Sequence, residues 1–176
     1  DETLTEASAP GRGFLAEVAV AWEEATAPAA EAGVRVANAR LGIVLARHGG
    51  ALKAMLPPFR LGLGGPLGDG AQYWSWIALD DVVAALLRMV DDAQLRGPVN
   101  VTAPDPQRNA DFTRTLAGAL GRPAILRVPA FAARLAMARP ADELVLASAR
   151  VLPKRLQDAG FAFVHPTLES ALRALL

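Results

Sequence analysis

The chain has 176 residues, 52% of them apolar, with 18 Lys+Arg against 18 Asp+Glu. That balance excludes a polybasic nucleic-acid surface and a disordered charged tail, and it leaves enough apolar material for a sizeable core. There are no cysteines, so disulfides, thiolate nucleophiles, zinc–thiolate sites and iron–sulfur clusters are excluded. The two histidines, His48 and His165, lack metal-ligand spacing, and no metal site is expected.

No apolar run approaches the roughly 18 residues of a membrane-spanning helix. The start, DETLTEASAP, is too acidic and polar for a signal peptide. A cytoplasmic protein without membrane or nucleic-acid partners is the expectation, its oligomeric state unknown. The first residue is not Met, which leaves open a fragment or a processed chain.

Residues 1–13 read as a polar loop. Over residues 14–30, Phe14, Leu15, Val18, Ala21, Trp22 and Ala25 recur at helical spacing, and Gly33 marks a stop. Residues 34–39 read as a strand running into a turn at Gly42. Residues 51–56 form a short helix that Pro57-Pro58 should end. The stretch 62–81 then holds a run of glycines, two of the three tryptophans (Trp74 and Trp76) and the only tyrosine, Tyr73. Glycines that admit close backbone approach, followed by aromatics, suit one wall of a binding cleft. A glycine-rich hairpin with its aromatics in the core suits the same residues, with 72–77 as the return strand.

Asp80 is placed to cap a helix whose apolar face is Val82, Val83, Ala85, Leu86, Met89 and Val90. A strand at 99–102, a turn at 104–107 and a helix capped by Asn109 follow. Then come a short strand at 125–128 and an Ala/Leu-rich helical stretch over 130–147. Pro153 opens a helix ending at Gly160, 161–164 is a brief strand, and Thr167 caps the last helix. Helices alternating with short strands argue for an α/β fold. The strands are too few for a parallel sheet covered on both faces, so the pattern resembles the second half of a larger α/β protein.

Three places invite chemistry. The Arg40-Leu41-Gly42-Ile43 run ends a strand, where open α/β sheets bind ligands, although a plain strand-to-turn junction reads the same way. Phe59-Arg60 with Gln72 to Trp76 is the second; Arg60 can clamp a phosphate or simply sit in solvent. The third, Asp80-Asp81, suits acid/base work less well than helix capping. No nucleophile elbow surrounds Ser75, and neither GxGxxG nor GxxxxGK[ST] occurs.

The run RLGIVLARHGGALKAMLPPFRLGLGGPLGDGAQYWSWIALDD resembles a signature of the NAD(P)-dependent epimerase/dehydratase-like branch of the extended short-chain dehydrogenase/reductase superfamily, whose members are nucleoside-diphosphate-sugar epimerase-like. The closing stretch from VPAFAARLAMARPADELVLASARVLPK onward is similar to that family's small C-terminal domain, and the opening residues resemble its middle region. The resemblance implies the C-terminal part of a Rossmann-like NAD(P)-binding fold plus a small, mostly helical substrate or C-terminal domain. It divides the chain into 1–47, the end of the Rossmann-like part; 48–128, a substrate-side segment interleaved with it; and 129–176, the small domain.

It implies NADP, or NAD, as cofactor, held mainly by residues outside this segment, with Leu41, Gly42 and Ile43 near the nicotinamide. Phe59, Arg60, Gln72 and Trp76 match the substrate-side wall, and the substrate is a small molecule such as a nucleotide sugar. Asp81 matches an acidic residue that starts the following helix. One departure stands out. Where sugar-epimerising relatives carry Tyr-x-x-x-Lys, this chain has Phe14 and Val18 or neighbours without those functions. The resemblance therefore supports two functions: a hydride-transferring epimerase or reductase, and a cofactor-binding sensor or interaction protein without turnover. A structural module that only packs is a third reading of the same fragment.

Overall fold

The computed structural model describes residues 2–129, 131 and 146–176. Its centre is a long extended segment in two parts, β2 (Ala37–Leu41) and β3 (Ile43–Ala46), which follow the short β1 (Thr3–Leu4). β2 pairs in parallel with β6 (Gly97–Val101), from Ala37 opposite Gly97 to Leu41 opposite Val101. β3 pairs in parallel with β5 (Trp76–Ala78), Ile43 opposite Trp76. The change of partner happens at Gly42, whose N–H donates to Val101 O at 3.1 Å, while Ile43 N–H donates to Ser75 O at 2.8 Å. A Cβ on Gly42 would lie 2.8 Å from Ser75 O and 2.9 Å from Thr102 Cγ2. The glycine thus serves a close three-way approach of backbones rather than the expected turn.

The hairpin anticipated across the glycine run is absent. β4 (Tyr73–Trp74) pairs antiparallel with β7 (Gln107–Arg108), and β1 pairs in parallel with β8 (Arg150–Val151). The expected strand at 125–128 reduces to a bridge between Val128 and Leu67. The helix expected over 130–147 falls almost wholly outside the described residues.

The first predicted helix is two: α1 (Phe14–Glu24) and α2 (Ala27–Glu31). Pro28 sits in the first turn of α2, where a missing N–H costs nothing, so the chain restarts a helix there. α3 (Gly50–Arg60) runs straight through Pro57 and Pro58, against the expected stop. Residues 53, 54, 57 and 58 are all exposed, so the carbonyls left without donors face water, while Leu52, Leu56 and Phe59 point inward.

α4 (Leu79–Asp91) takes no side-chain cap from Asp80; its N-cap is Ala78. Asp81 is fully buried and accepts from the N–H groups of Val164 at 2.7 Å and His165 at 3.0 Å. Its carboxylate therefore holds the segment read as a strand at 161–164, which is a loop in the structure. α5 (Asn109–Ala119) likewise begins one residue past Arg108, and the Asn109 side chain accepts from Leu67 N–H at 2.8 Å instead of capping. Thr167 does cap the last helix, accepting from Ser170 N–H at 3.3 Å.

Two apolar clusters hold the molecule. One gathers Leu45, Leu52, Phe59, Trp74, Trp76, Phe112 and Leu116 with Leu168 and Leu172 of α7 (Leu168–Leu175). The other joins Ile77, Val82, Met89, Val99 and Val101 to Leu156 of α6 (Lys154–Asp158). The described residues of 129–176 thus complete both cores rather than enclosing one of their own.

Candidate functional site

At the carboxyl ends of the paired parallel strands β2 and β6 lies a cleft of about 570 Å³. Open α/β sheets bind ligands at such ends. Leu41, Gly42 and Ile43 line it together, beside Tyr73, Trp74 and Ser75. Leu4, Thr5 and residues 8–11 supply a second side and Ala147, Ala149 and Val151 a third.

Buried polar groups fix these walls. Ser75 Oγ donates to Ala149 O at 2.7 Å and accepts from Val151 N–H at 2.9 Å. Tyr73 N–H donates to Ser148 Oγ at 3.0 Å. The Glu6 carboxylate accepts from Asn100 N–H at 3.0 Å and from Arg155 N–H at 3.2 Å, tying the N-terminal wall to β6 and α6. Asn100 Nδ2 donates to Leu152 O at 3.0 Å. Thr102 Oγ1, also at the cleft, is buried with no hydrogen-bond partner among the described residues.

Arg40 stands at the rim. Its Nε and Nη2 donate to the two Glu23 carboxylate oxygens, both at 2.6 Å, in a fork that joins β2 to α1. Hydrogen bonding from Arg40 holds the Glu23 carboxyl below the usual carboxylate range, against the opposing effect of burial and with help from the charge attraction. The same contact raises the Arg40 guanidinium further above its ordinary value.

The four residues expected on the substrate side are not brought together at this cleft. Phe59 and Trp76 are core residues, Trp76 fully buried with its indole N–H donating to Asp105 O at 2.7 Å. Gln72 is buried and its Nε2 donates to Leu67 O at 3.2 Å. Arg60 is exposed at the end of α3 and does not line the cleft. Phe59 and Arg60 stand on α3, and for the other two strand alternation is the physical reason: Gln72, Trp74 and Trp76 share one parity and are buried, Trp74 alone of them also reaching the cleft. Tyr73 and Ser75 have the other parity.

The glycines are explained by packing as well. A Cβ on Gly64 would lie 2.4 Å from the Phe59 ring, and one on Gly65 would lie 1.8 Å from Leu126 O. Sequence reasoning held Tyr73 and Ser75 only within the stretch 72–76, without singling them out, and missed Asn100 and Thr102 as cleft residues. Parity was the available signal for the first two. For Asn100 and Thr102 there was none, because their place depends on which strand lies beside Gly42.

A domain of unknown function (DUF1731) matches residues 128–175. An epimerase family protein of Mycobacterium bovis is 46% identical over 172 residues, covering 98% of this chain and 57% of the relative. The chloroplastic epimerase family protein SDR39U1 homolog of Arabidopsis thaliana is 41% identical over 171 residues, covering 97% and 49%. The crystal structure of human epimerase family protein SDR39U1 with NADPH superposes with a TM-score of 0.89 at 33% identity, covering 99% of this chain and 59% of that one. UDP-N-acetylglucosamine 4-epimerase from Bacillus cereus, at 12% identity and a TM-score of 0.75, shares the fold. The chain spans about half the length of the curated relatives it matches. With a Rossmann-like α/β architecture and a cleft at its strand ends, the chain is similar over nearly its whole length to proteins of the epimerase family, one of them solved with NADPH.

Proposed function

We propose that the protein binds NADP(H) and works as an epimerase or reductase on a small alcohol or carbonyl compound of the nucleotide-sugar type. The observation that carries this reading is the meeting of Leu41, Gly42 and Ile43 in one cleft at the carboxyl ends of β2 and β6. The residues present fit a nicotinamide. Leu41 and Ile43 offer apolar wall, and the volume lies within the usual range of small-molecule sites. The Thr102 hydroxyl is buried without a partner among the described residues, placed for a polar group such as a carboxamide. A bound nicotinamide would supply the hydride chemistry. Leu41 and Ile43 would exclude water from the ring, while Gly42 lets β3, β5 and β6 converge behind it. NADP(H) is preferred to NAD(H) because the similar human protein was crystallised with NADPH.

A second reading, cofactor binding without turnover, is favoured by α1. The family resemblance implies Phe14 and Val18, or neighbours without those functions, where relatives that epimerise sugars have their proton-transferring pair, and neither Phe14 nor Val18 carries an exchangeable side-chain proton. The two readings separate in one experiment. NADPH and NADH affinities are measured on the full-length protein by nucleotide fluorescence. Single-turnover reduction of bound NADP+ by a panel of nucleotide sugars then follows. Tight NADPH binding with hydride transfer supports the enzyme; full occupancy with a silent panel supports the sensor. No binding of either nucleotide defeats both.

A further inference from the structure

Most polar side chains in the cleft are already committed. Ser75 is bonded on both sides to the 149–151 segment, Arg40 is forked onto Glu23, Asn100 reaches Leu152, and Ser8 Oγ accepts from Thr5 N–H at 3.0 Å. Tyr73 is the exception with a titratable proton. It is half-buried, it lines the cleft, and its hydroxyl makes no hydrogen bond among the described residues.

Everything else about Tyr73 is held. Its N–H donates to Ser148 Oγ, and its carbonyl accepts from Ala149 N–H at 3.2 Å. The Arg108 guanidinium lies 4.7 Å from the ring centroid and that of Arg150 lies 5.2 Å away, within cation–π range. Two residues on, Ser75 O accepts from Ile43 N–H, so the tyrosine and the Leu41–Ile43 wall are parts of one rigid frame. A fixed ring with an uncommitted hydroxyl in a concave, largely apolar site is preorganised to meet one oxygen of a ligand.

We propose that Tyr73 is the proton-donating and proton-accepting group of this cleft, its hydroxyl meeting the oxygen of a carbonyl or alcohol on the ligand. Oxygen binding by Tyr73 stands on the cleft alone; the redox step rests on the NADP(H) reading above. In the reducing direction the carbonyl carbon gains a hydride from the reduced nicotinamide. The carbonyl oxygen takes the Tyr73 proton, and the resulting phenolate recovers a proton from water. The products are an alcohol and the oxidised nucleotide.

Tyr73→Phe keeps the ring and both cation contacts and removes only the hydroxyl. The test uses full-length protein with phenanthrenequinone, a flat dicarbonyl, as the probe. With NADPH loaded, Tyr73→Phe is expected to lower kcat by about 100-fold or more, the range for losing a general acid. The NADPH Kd should stay within about twofold. Quinone turnover by Tyr73→Phe within about twofold of wild type overturns the proposal.

A second readout needs no turnover. In protein carrying fluorotyrosine, the Tyr73 fluorine resonance is identified by its loss in Tyr73→Phe. Quinone alone is expected to shift it, and the quinone Kd should weaken in Tyr73→Phe. An unmoved resonance at saturating quinone overturns the proposal whatever the activity. Failure of NADPH to bind, with the quinone shift intact, defeats the cofactor reading and leaves the Tyr73 site standing.

Discussion

α1 and α4 are helices of similar length, 11 and 13 residues, each with an apolar stripe in the sequence, yet they are held in opposite ways. α4 buries Asp81, Val82, Ala85 and Met89, while α1 buries no side chain and leaves Phe14 69% and Trp22 74% exposed. α4 is therefore secured by the core and by the Asp81 clamp on residues 164 and 165. α1 is tied to the sheet by the Glu23–Arg40 fork at the rim of the cleft. An apolar periodicity says that a helix has a face to bury; it does not say what lies opposite.

The sharpest way to test burial against exposure is to remove the core tryptophan of β5, the strand that leads into α4, and the exposed tryptophan of α1. Trp76→Ala should cost about 3–5 kcal/mol, the range for emptying a large core site. Trp22→Ala in α1 should cost less than about 0.5 kcal/mol, as for an exposed position. Urea unfolding of the two variants checks the pair, and equal losses would contradict the burial difference.

Next in size is Asp81→Ala. It leaves the Val164 and His165 N–H groups without an acceptor, and with two charge-assisted bonds lost a destabilisation of about 3 kcal/mol is expected. Faster hydrogen exchange at those two amides should accompany it. Unchanged exchange would show that another group holds the loop.

Gly42→Ala places a methyl against Ser75 O and Thr102 Cγ2, and strain of about 1–3 kcal/mol should follow. Its diagnostic is weaker ligand binding in the cleft, because the partner switch that shapes the floor must open.

The smallest effect belongs to the rim. The Arg40 and Glu23 side chains are 37% and 28% exposed, so solvent screens the pair and Glu23→Gln should cost no more than about 1 kcal/mol. Because the Glu23 carboxyl titrates lower in the folded chain, its contribution is complete above its ordinary value of 4.5 and is lost as pH falls through the lowered value. The stability difference between wild type and Glu23→Gln should therefore shrink on acidification below that point. A difference independent of pH would remove the pair as its source.

The α/β class, the final helix with its Thr167 cap, and a strand end at residues 41–43 were all legible in the residues. Less legible was which member of 72–76 faces the cleft. The indole of Trp76 drew attention as binding surface, yet its apolar area is what takes it fully into the core, while Tyr73, Trp74 and Ser75 reach the cleft. Pro57 and Pro58 were expected to stop a helix they do not stop, because their effect depends on whether the freed carbonyls reach water. Asp80 and Asp81 looked like alternative caps for α4, but the partner of Asp81 is 83 residues away.

Composition by itself excluded thiol chemistry and indicated a large core, and local order set where helices alternate with strands. These are properties of neighbouring residues, carried by steric preference and by apolar spacing. Only the tertiary structure decided that Gly42 is where the strand segment changes partner, and that residues 147–151 wall the cleft. It alone placed Thr102 and Tyr73 there with hydroxyls that no described residue bonds. Those facts depend on which distant strand fills the space beside a given residue, and that is settled by packing over the whole chain.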